Sequence, residues 1–395
     1  MTWEILPRSR WRARDDKRRG MGVVVERQDR YALLNGSALS SDRNEQLRGR
    51  LVDTFRPLID LDRPVALVDY PASRNSGDHL IWVGEKALIA ALGLRLAYEC
   101  AAATYDSAAM RRAIGGGTLL MHGGGNFGDL YGVYHAFRLR VLEDFPDNPV
   151  VVLPQTVMFF ADTELQDTVR RFARHGNVTI AARDVLSLHV LERSFGDAAR
   201  VVLAPDMSFM LGPMRRSCAP NFAVVWISRT DLEASYGGDL ATAAKLPALR
   251  RVTADMGAFD DGLGGTVAAE VCATKLFVSD WYRIQVPSED AAAHYRALDF
   301  DQRSRFWVDR ALRIVSAGRV VVTDRLHGHI LCTLAGIPHV FINNTYGKNF
   351  SYYESWSRPS SLCHLAATPA HAWLLAQKML EQTKIVAPAL ALADG

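Results

Sequence analysis

The sequence predicts an α/β protein built from two Rossmann-like domains that face each other across a cleft. Short apolar runs alternate with helix-length segments, the order that produces parallel, doubly wound sheets. The alternation stops at a turn-rich stretch, 212–220, and starts again after it. Nearly every strand-like run ends in polar residues or glycines, which the shared carboxyl edge of a parallel sheet would gather on one rim.

In chain order, residues 1–21 are a basic tail in which Arg8, Arg10, Arg12, Arg14, Lys17, Arg18 and Arg19 stand beside Trp3 and Trp11. The plain reading is a solvated, disordered segment. The other is peripheral contact with anionic lipid, worth roughly 1 kcal/mol per basic residue near the surface. The N-terminal domain is expected over 22–211. It opens with a helical lead-in to about 60, in which Leu47, Leu51 and Phe55 recur among charges. A strand at 65–70 runs into the turn formers of 71–78, and a helix follows from 80 to 92. A strand at 118–121 ends in the loop 122–129, and a helix through Phe137 and Leu142 follows. Further strands are expected at 150–153, 178–181 and 201–203, separated by helices at 163–174 and 185–195.

The C-terminal domain, 221–395, restarts with a strand at 222–227. Residues 232–265 have no clear pattern, and helix-like segments follow near 266–276 and 300–316. A valine run at 320–322 leads through a turn to a helix-like segment at 330–335. A strand at 339–342 and a helix at 369–385 complete the series.

Composition narrows the function classes. The chain has 395 residues, 49% hydrophobic and 23% charged, which suits a soluble protein with a sizeable core. A net charge of +3 is too small to argue for nucleic acid. Cys100, Cys218, Cys272, Cys332 and Cys363 are scattered, with no CxxC pair, as expected for reduced thiols in the cytoplasm. No apolar run approaches the roughly 20 residues that span a bilayer, and no signal-peptide apolar region opens the chain.

The most informative stretch is 320–329, where the valine run ends in Thr323-Asp324-Arg325-Leu326-His327-Gly328-His329. An arginine and a histidine at the start of a helix put a permanent cation and a titratable group where free N–H groups favour an anion. On spacing alone the run reads equally well as an ordinary capped turn. Arg183 and Arg229 also stand just past strand ends, and guanidinium forks suit carboxylate or phosphate. Each could instead pair with its neighbouring Asp184 or Asp231. His327 is the natural acid/base candidate, His329 reads as structural, and His122 fits either role. The glycines of 122–129 would let backbone amides approach a ligand, but their spacing is neither the dinucleotide fingerprint nor a Walker loop.

Taken in order, Gly77-Asp78-His79, Gly123-Gly124-Gly125-Asn126-Phe127-Gly128-Asp129, Pro154-Gln155-Thr156, Arg183-Asp184, Pro205-Asp206, Arg229-Thr230-Asp231, the Thr323–Gly328 run and Asn344-Thr345-Tyr346-Gly347-Lys348-Asn349 resemble the polysaccharide pyruvyl transferase family, in particular its bacterial exopolysaccharide-cluster members. The resemblance spans roughly residues 65–356. It implies a GT-B-like fold and transfer of a pyruvyl group from phosphoenolpyruvate to a sugar as a ketal, with release of phosphate and with no metal or redox cofactor. It implies His327 and Arg325 as catalytic residues, and Arg183, Arg229, Asp324, Gly328, Lys348 and Asn349 as donor-binding. Gly77, Asp78, Gly124, Gly125, Asn126 and Asp129 would face the acceptor, a saccharide or a lipid-linked oligosaccharide at the inner face of the cytoplasmic membrane. Two other readings remain open: a nucleotide-sugar glycosyltransferase on the same fold, and a non-catalytic binding protein of a polysaccharide assembly system.

Overall fold

The computed structural model describes residues 40–229, 265–271, 274–280, 295, 297–344, 347–358 and 360–386. The basic tail, the first part of the helical lead-in, the unpatterned stretch up to 264, Thr230, Asp231, Thr345 and Tyr346 lie outside the described residues.

Two sheets organise the chain. The first has seven strands: β1 (Val65–Val68), β2 (Leu96–Cys100), β3 (Thr118–Met121), β4 (Gly124–Gly128), β5 (Val150–Met158), β6 (Val178–Ala182) and β7 (Arg200–Leu203). Its order is β2-β1-β3-β5-β6-β7, all parallel, with β4 beside β5. The second has six strands in the order β13-β12-β11-β8-β10-β9. These are β8 (Phe222–Ser228), β9 (Gly265–Val271), β10 (Thr274–Asp280), β11 (Gly318–Thr323), β12 (His339–Ile342) and β13 (Cys363–Ala366). The described chain is thus an α/β protein with parallel, Rossmann-like sheets. The central strands β1, β3, β11 and β12 bury almost every side chain, as parallel strands covered on both faces must.

The helices are α1 (Ser40–Phe55), α2 (Ser76–Ala91), α3 (Ser107–Ile114), α4 (Gly132–Asp144), α5 (Asp162–His175), α6 (Val185–Phe195), α7 (Phe300–Ser316), α8 (Leu326–Leu334), the short α9 (Lys348–Tyr352) and α10 (Pro369–Val386). Caps explain where several begin. Asn75 accepts from the Gly77 N–H, Asp106 from Ala109 and Asp184 from Ser187, and Asp299 with Gln302 forms a capping box.

Helix α2 joins the two sheets. It follows β1 in sequence, yet Leu80 is buried in the apolar cluster of the second sheet with Val225, Val321 and Leu331. On the same helix, His79 bridges the Ser73 carbonyl at 2.9 Å and the Ser304 hydroxyl of α7 at 3.0 Å. Tyr70 stacks on Phe300 with ring centres 4.0 Å apart.

Three expectations change. The glycine-rich segment is not an open loop: Gly124–Gly128 forms β4 against the outer half of β5, which runs on through Pro154, Gln155 and Thr156. Gly124 and Gly128 have φ of +121° and +119°, which side chains rarely adopt, and a Cβ on Gly128 would strike the Met158 carbonyl. The segment near 266–276 is not helical but the antiparallel hairpin β9–β10, with β10 parallel to β8. Its alanines favour helix locally, and pairing in the sheet overrides that preference. Helix α2 starts at Ser76 rather than 80, because Asn75 caps it there.

Gly84 on α2 faces the Met207 backbone, and a Cβ there would overlap the Met207 carbonyl. Gly84→Ala should therefore destabilise the fold by about 1–3 kcal/mol. Gly49, exposed on α1 with open space around it, is the control: Gly49→Ala should gain about 0.5–1 kcal/mol. Urea denaturation of both variants reads the contrast.

Candidate active site

Doubly wound sheets bind ligands beyond the carboxyl ends of their strands, where the strand order reverses. In the first sheet that point lies between β1 and β3, and in the second between β8 and β11. A pocket of about 190 Å³ is lined from both. Ser73, Asn75 and Asp78 come from the turn after β1 and the start of α2. Gly125 and Asn126 follow β3, and Arg183 ends β6. Arg229 follows β8, and Arg325, Leu326 and His327 follow β11. Tyr131 and Tyr134 complete the wall. Helices α2 and α8 begin at the pocket, so their N-terminal dipole ends add to three guanidinium groups.

Arg183 is held differently from the sequence expectation of pairing with its neighbour. Arg183 donates from Nη1 to Asp206 Oδ2 at 2.8 Å and from Nε to the Thr156 hydroxyl at 2.8 Å. Its neighbour Asp184 is spent elsewhere, accepting from the Ser187 N–H and hydroxyl and from the Thr156 and Ser351 hydroxyls. The Arg183 carbonyl accepts from Trp356 Nε1 at 2.7 Å, so a residue beyond the second sheet's β12 fixes it. The Asp324 carboxylate accepts from the Arg229 N–H at 2.9 Å and ties together the two strand ends. Burial pushes Asp324 up to about 6 against the opposing pull of Arg325 and Arg229.

His327 sits at the start of α8 with its imidazole against Gly77, where a Cβ would collide with Nδ1. Its Nε2 lies 3.4 Å from Asp206 Oδ2, an ion-pair distance without hydrogen-bond alignment. Asp206 was visible in the sequence only as one polar strand end among several. Burial would raise its carboxyl, yet His327, Arg183 and Ser208 outweigh burial and hold it well below the usual carboxylate range.

Not every expected residue reaches the pocket. Asp129 does not line it: its carboxylate accepts the N–H groups of Phe160 and Ala161 and so anchors the start of α5. Asn349 is buried and donates to the carbonyls of Asp324 at 2.7 Å and Ile342 at 2.9 Å, bracing the turn rather than meeting a ligand. Gly328 packs on Thr323, where a Cβ would stand 2.7 Å from the hydroxyl. Lys348, at the start of α9, and Gly124, in β4, lie outside the lining among the described residues. The tyrosines of α4 and its approach were missed, since nothing in their spacing separates them from core aromatics.

Behind the pocket lies a buried charge layer. Asp69, the one non-glycine residue among those described with positive φ, pairs with Arg138 at 3.0 Å. Arg138 donates in turn to the Asn126 carbonyl at 2.9 Å and its Oδ1 at 2.6 Å. With Oδ1 so engaged, the Asn126 amide is left to present its NH2. His122 pairs with Glu85 at 2.8 Å, and Glu85 also accepts from the Gly123 N–H. Burial alone would lower His122, but Glu85 and Asp69 raise it.

The described residues offer one cluster with metal-ligand chemistry: His329, His339 and Cys363, whose ligand atoms lie within 4.8 Å of one another. It does not fit an ion. His329 Nδ1 is 2.7 Å from His339 Nε2, whereas two nitrogens on a tetrahedral zinc stand about 3.3 Å apart. Neutral rings satisfy every nitrogen: the Ser357 hydroxyl donates to His329 Nε2, His329 Nδ1 to His339 Nε2, and His339 Nδ1 to the Ile337 carbonyl. Burial holds both imidazoles well below their ordinary range, His339 at about 4. The structural reading of His329 agrees with this.

The family model for polysaccharide pyruvyl transferases matches residues 75–245 and 288–346, which include all the pocket residues except Ser73. The chain belongs to the polysaccharide pyruvyl transferase family. Among its relatives, pyruvyl transferase 1 of Schizosaccharomyces pombe is 32% identical over 304 residues, covering 74% of this chain and 70% of the relative. EpsO of Bacillus subtilis, which carries a pyruvyl transferase name, is 28% identical over 294 residues, covering 74% and 85%. A functionally uncharacterised Klebsiella pneumoniae protein shares the fold, with a TM-score of 0.51 at 16% identity over 82% of this chain and 99% of its own. No helix among the described residues is long and apolar enough to cross a membrane.

Burial pushes the Asp69 carboxyl up to about 6, against the pull of Arg138. A carboxyl raised in the fold contributes stability that is fully present below its ordinary value and lost as pH rises through about 6. Asp69→Asn cannot ionise and tolerates positive φ, so its stability relative to wild type should rise between pH 4 and pH 7. A difference in urea denaturation that stays flat across that window would count against titration of Asp69 there.

Proposed function

We propose that the protein transfers the pyruvyl group of phosphoenolpyruvate to two hydroxyls of one sugar in an exopolysaccharide or its lipid-linked precursor, forming a cyclic ketal and releasing phosphate. The observation that carries this reading is the gathering of Arg183, Arg229, Arg325 and His327 on one pocket in a member of this family. The donor bears a phosphate and a carboxylate, and guanidinium forks at two helix N-termini match both. The two Rossmann-like halves then act as a GT-B-like pair that share the donor, with Arg183 from the first and Arg229 and Arg325 from the second.

In this reaction His327 donates a proton to the donor's methylene carbon, which becomes the methyl group, and C2 becomes oxocarbenium-like. The arginines stabilise the anionic groups beside it. One sugar hydroxyl adds to C2 and loses its proton. The second hydroxyl adds as the C2–O bond to phosphate breaks, with the electron pair leaving on phosphate. Of the two hydroxyl protons, one restores His327 and the other departs with phosphate. The route asks for no metal or redox group. Asp78 and the Asn126 NH2 would hold acceptor hydroxyls, with Tyr131 and Tyr134 as a wall for the sugar ring.

Phosphate release from phosphoenolpyruvate with lipid-linked glycans as acceptors tests the reading. Thermal shift with phosphoenolpyruvate against UDP- and GDP-sugars separates it from a glycosyltransferase: stabilisation by a nucleotide sugar alone would overturn it. His327→Ala should stay folded, with a melt lowered by loss of the Asp206 contact, and lose transfer; near-full activity would remove His327 from the mechanism. Arg325→Lys should raise the donor KM at least about tenfold, because a point charge cannot reproduce the fork.

A further inference from the structure

We infer that Asp206 is a positioning residue that orients the His327 imidazole and stabilises positive charge on it in the transfer step, an inference that rests on the pyruvyl-transfer reading. Asp206 stands three residues past the last strand of the first sheet, and His327 lies in the first turn of a helix of the second, so their meeting is a tertiary event. The carboxylate is completely buried, and each oxygen has defined partners. Oδ1 accepts from the Ser208 N–H at 2.9 Å and hydroxyl at 2.6 Å. Oδ2 accepts from Arg183 at 2.8 Å and stands 3.4 Å from His327 Nε2. Ser208 and Arg183 thus lock the carboxylate plane and leave Oδ2 at ion-pair distance from the imidazole.

A fixed anion at that distance favours the charged ring over the neutral one. A general acid has to carry its proton when the donor binds, yet the pocket surrounds His327 with arginines, which oppose a positive imidazole. Asp206 offsets that opposition. The titratable and charged groups near the pair are Arg183 from the β6 end, Arg325 on the turn before α8, Asp78 on α2 and Tyr352 on α9, whose hydroxyl interacts electrostatically with Asp206. Gly77 closes the other side of the ring and prevents its retreat.

The test is the pH dependence of pyruvyl transfer by the full-length protein with Asp206→Asn. The expected result is a kcat at least about a hundredfold lower, a donor KM within about threefold of wild type, and an alkaline limb of kcat/KM moved to lower pH. Asp206→Ser, which keeps an oxygen to cap the Ser208 N–H without the charge, guards against a variant that fails to fold and should give the same displaced limb. A folded variant whose limb stays in place, or whose loss lies wholly in donor KM, overturns the inference and assigns Asp206 to Arg183 alone. Absence of phosphoenolpyruvate-dependent transfer by the wild-type protein would instead sink the functional reading, so the two failures are distinguishable.

Discussion

A buried carboxylate is the element on which the site depends. Asp206 lies at the end of the first sheet, away from water, where an unpaired charge would cost several kcal/mol. It is stable as an anion because Arg183 from the same sheet and His327 from the other meet it. That pairing brings the start of α8 against the segment that follows β7, on the pocket that Arg325 and His327 share with Asp78 and Asn126. The pocket is therefore a consequence of satisfying one charge across two sheets, and the arginine that clamps Asp206 also lines the pocket.

A second layer of charge works one shell deeper. Asp69, held at φ of +73° where β1 ends, pairs with Arg138, and Arg138 grips Asn126 by two oxygens. Strained backbone at a strand end beside a switch point is a device for aiming side chains. The glycines of β4 serve the same end. They let the strand bend under α2 and bring Gly125 within reach of Arg183, whose Nη2 would stand 3.1 Å from a Cβ at that position.

The sequence disclosed the helices most faithfully. The reading of 185–195 and 300–316 matches α6 and α7, because their apolar spacing and capping aspartates are local properties. Two edge strands escaped it: β2 and β13 are only partly buried, so no unbroken apolar run marks them as it marks β1, β3 and β12. The hairpin β9–β10 escaped for another reason, since its alanines argue for helix until a neighbouring strand is present to pair with. Within the site, Arg183, Arg229, Arg325 and His327 were legible because each follows an apolar strand. Asp129 and Asn349 share that setting but turned out to serve the backbone, and residue type does not reveal whether a polar group faces a ligand or a nearby N–H.

By itself, the sequence determined the alternation of strands and helices, the edge on which polar residues collect and the family to which the chain belongs. Periodicity and short motifs act over a few residues, so they survive in one dimension. Only the tertiary structure decided which of those polar ends meet: that Arg183 pairs with Asp206 rather than Asp184, that His327 lies against Gly77, and that Arg138 turns the Asn126 amide. Those choices come from burial, because a charge removed from water must find its partner in space, however far away that partner lies along the chain.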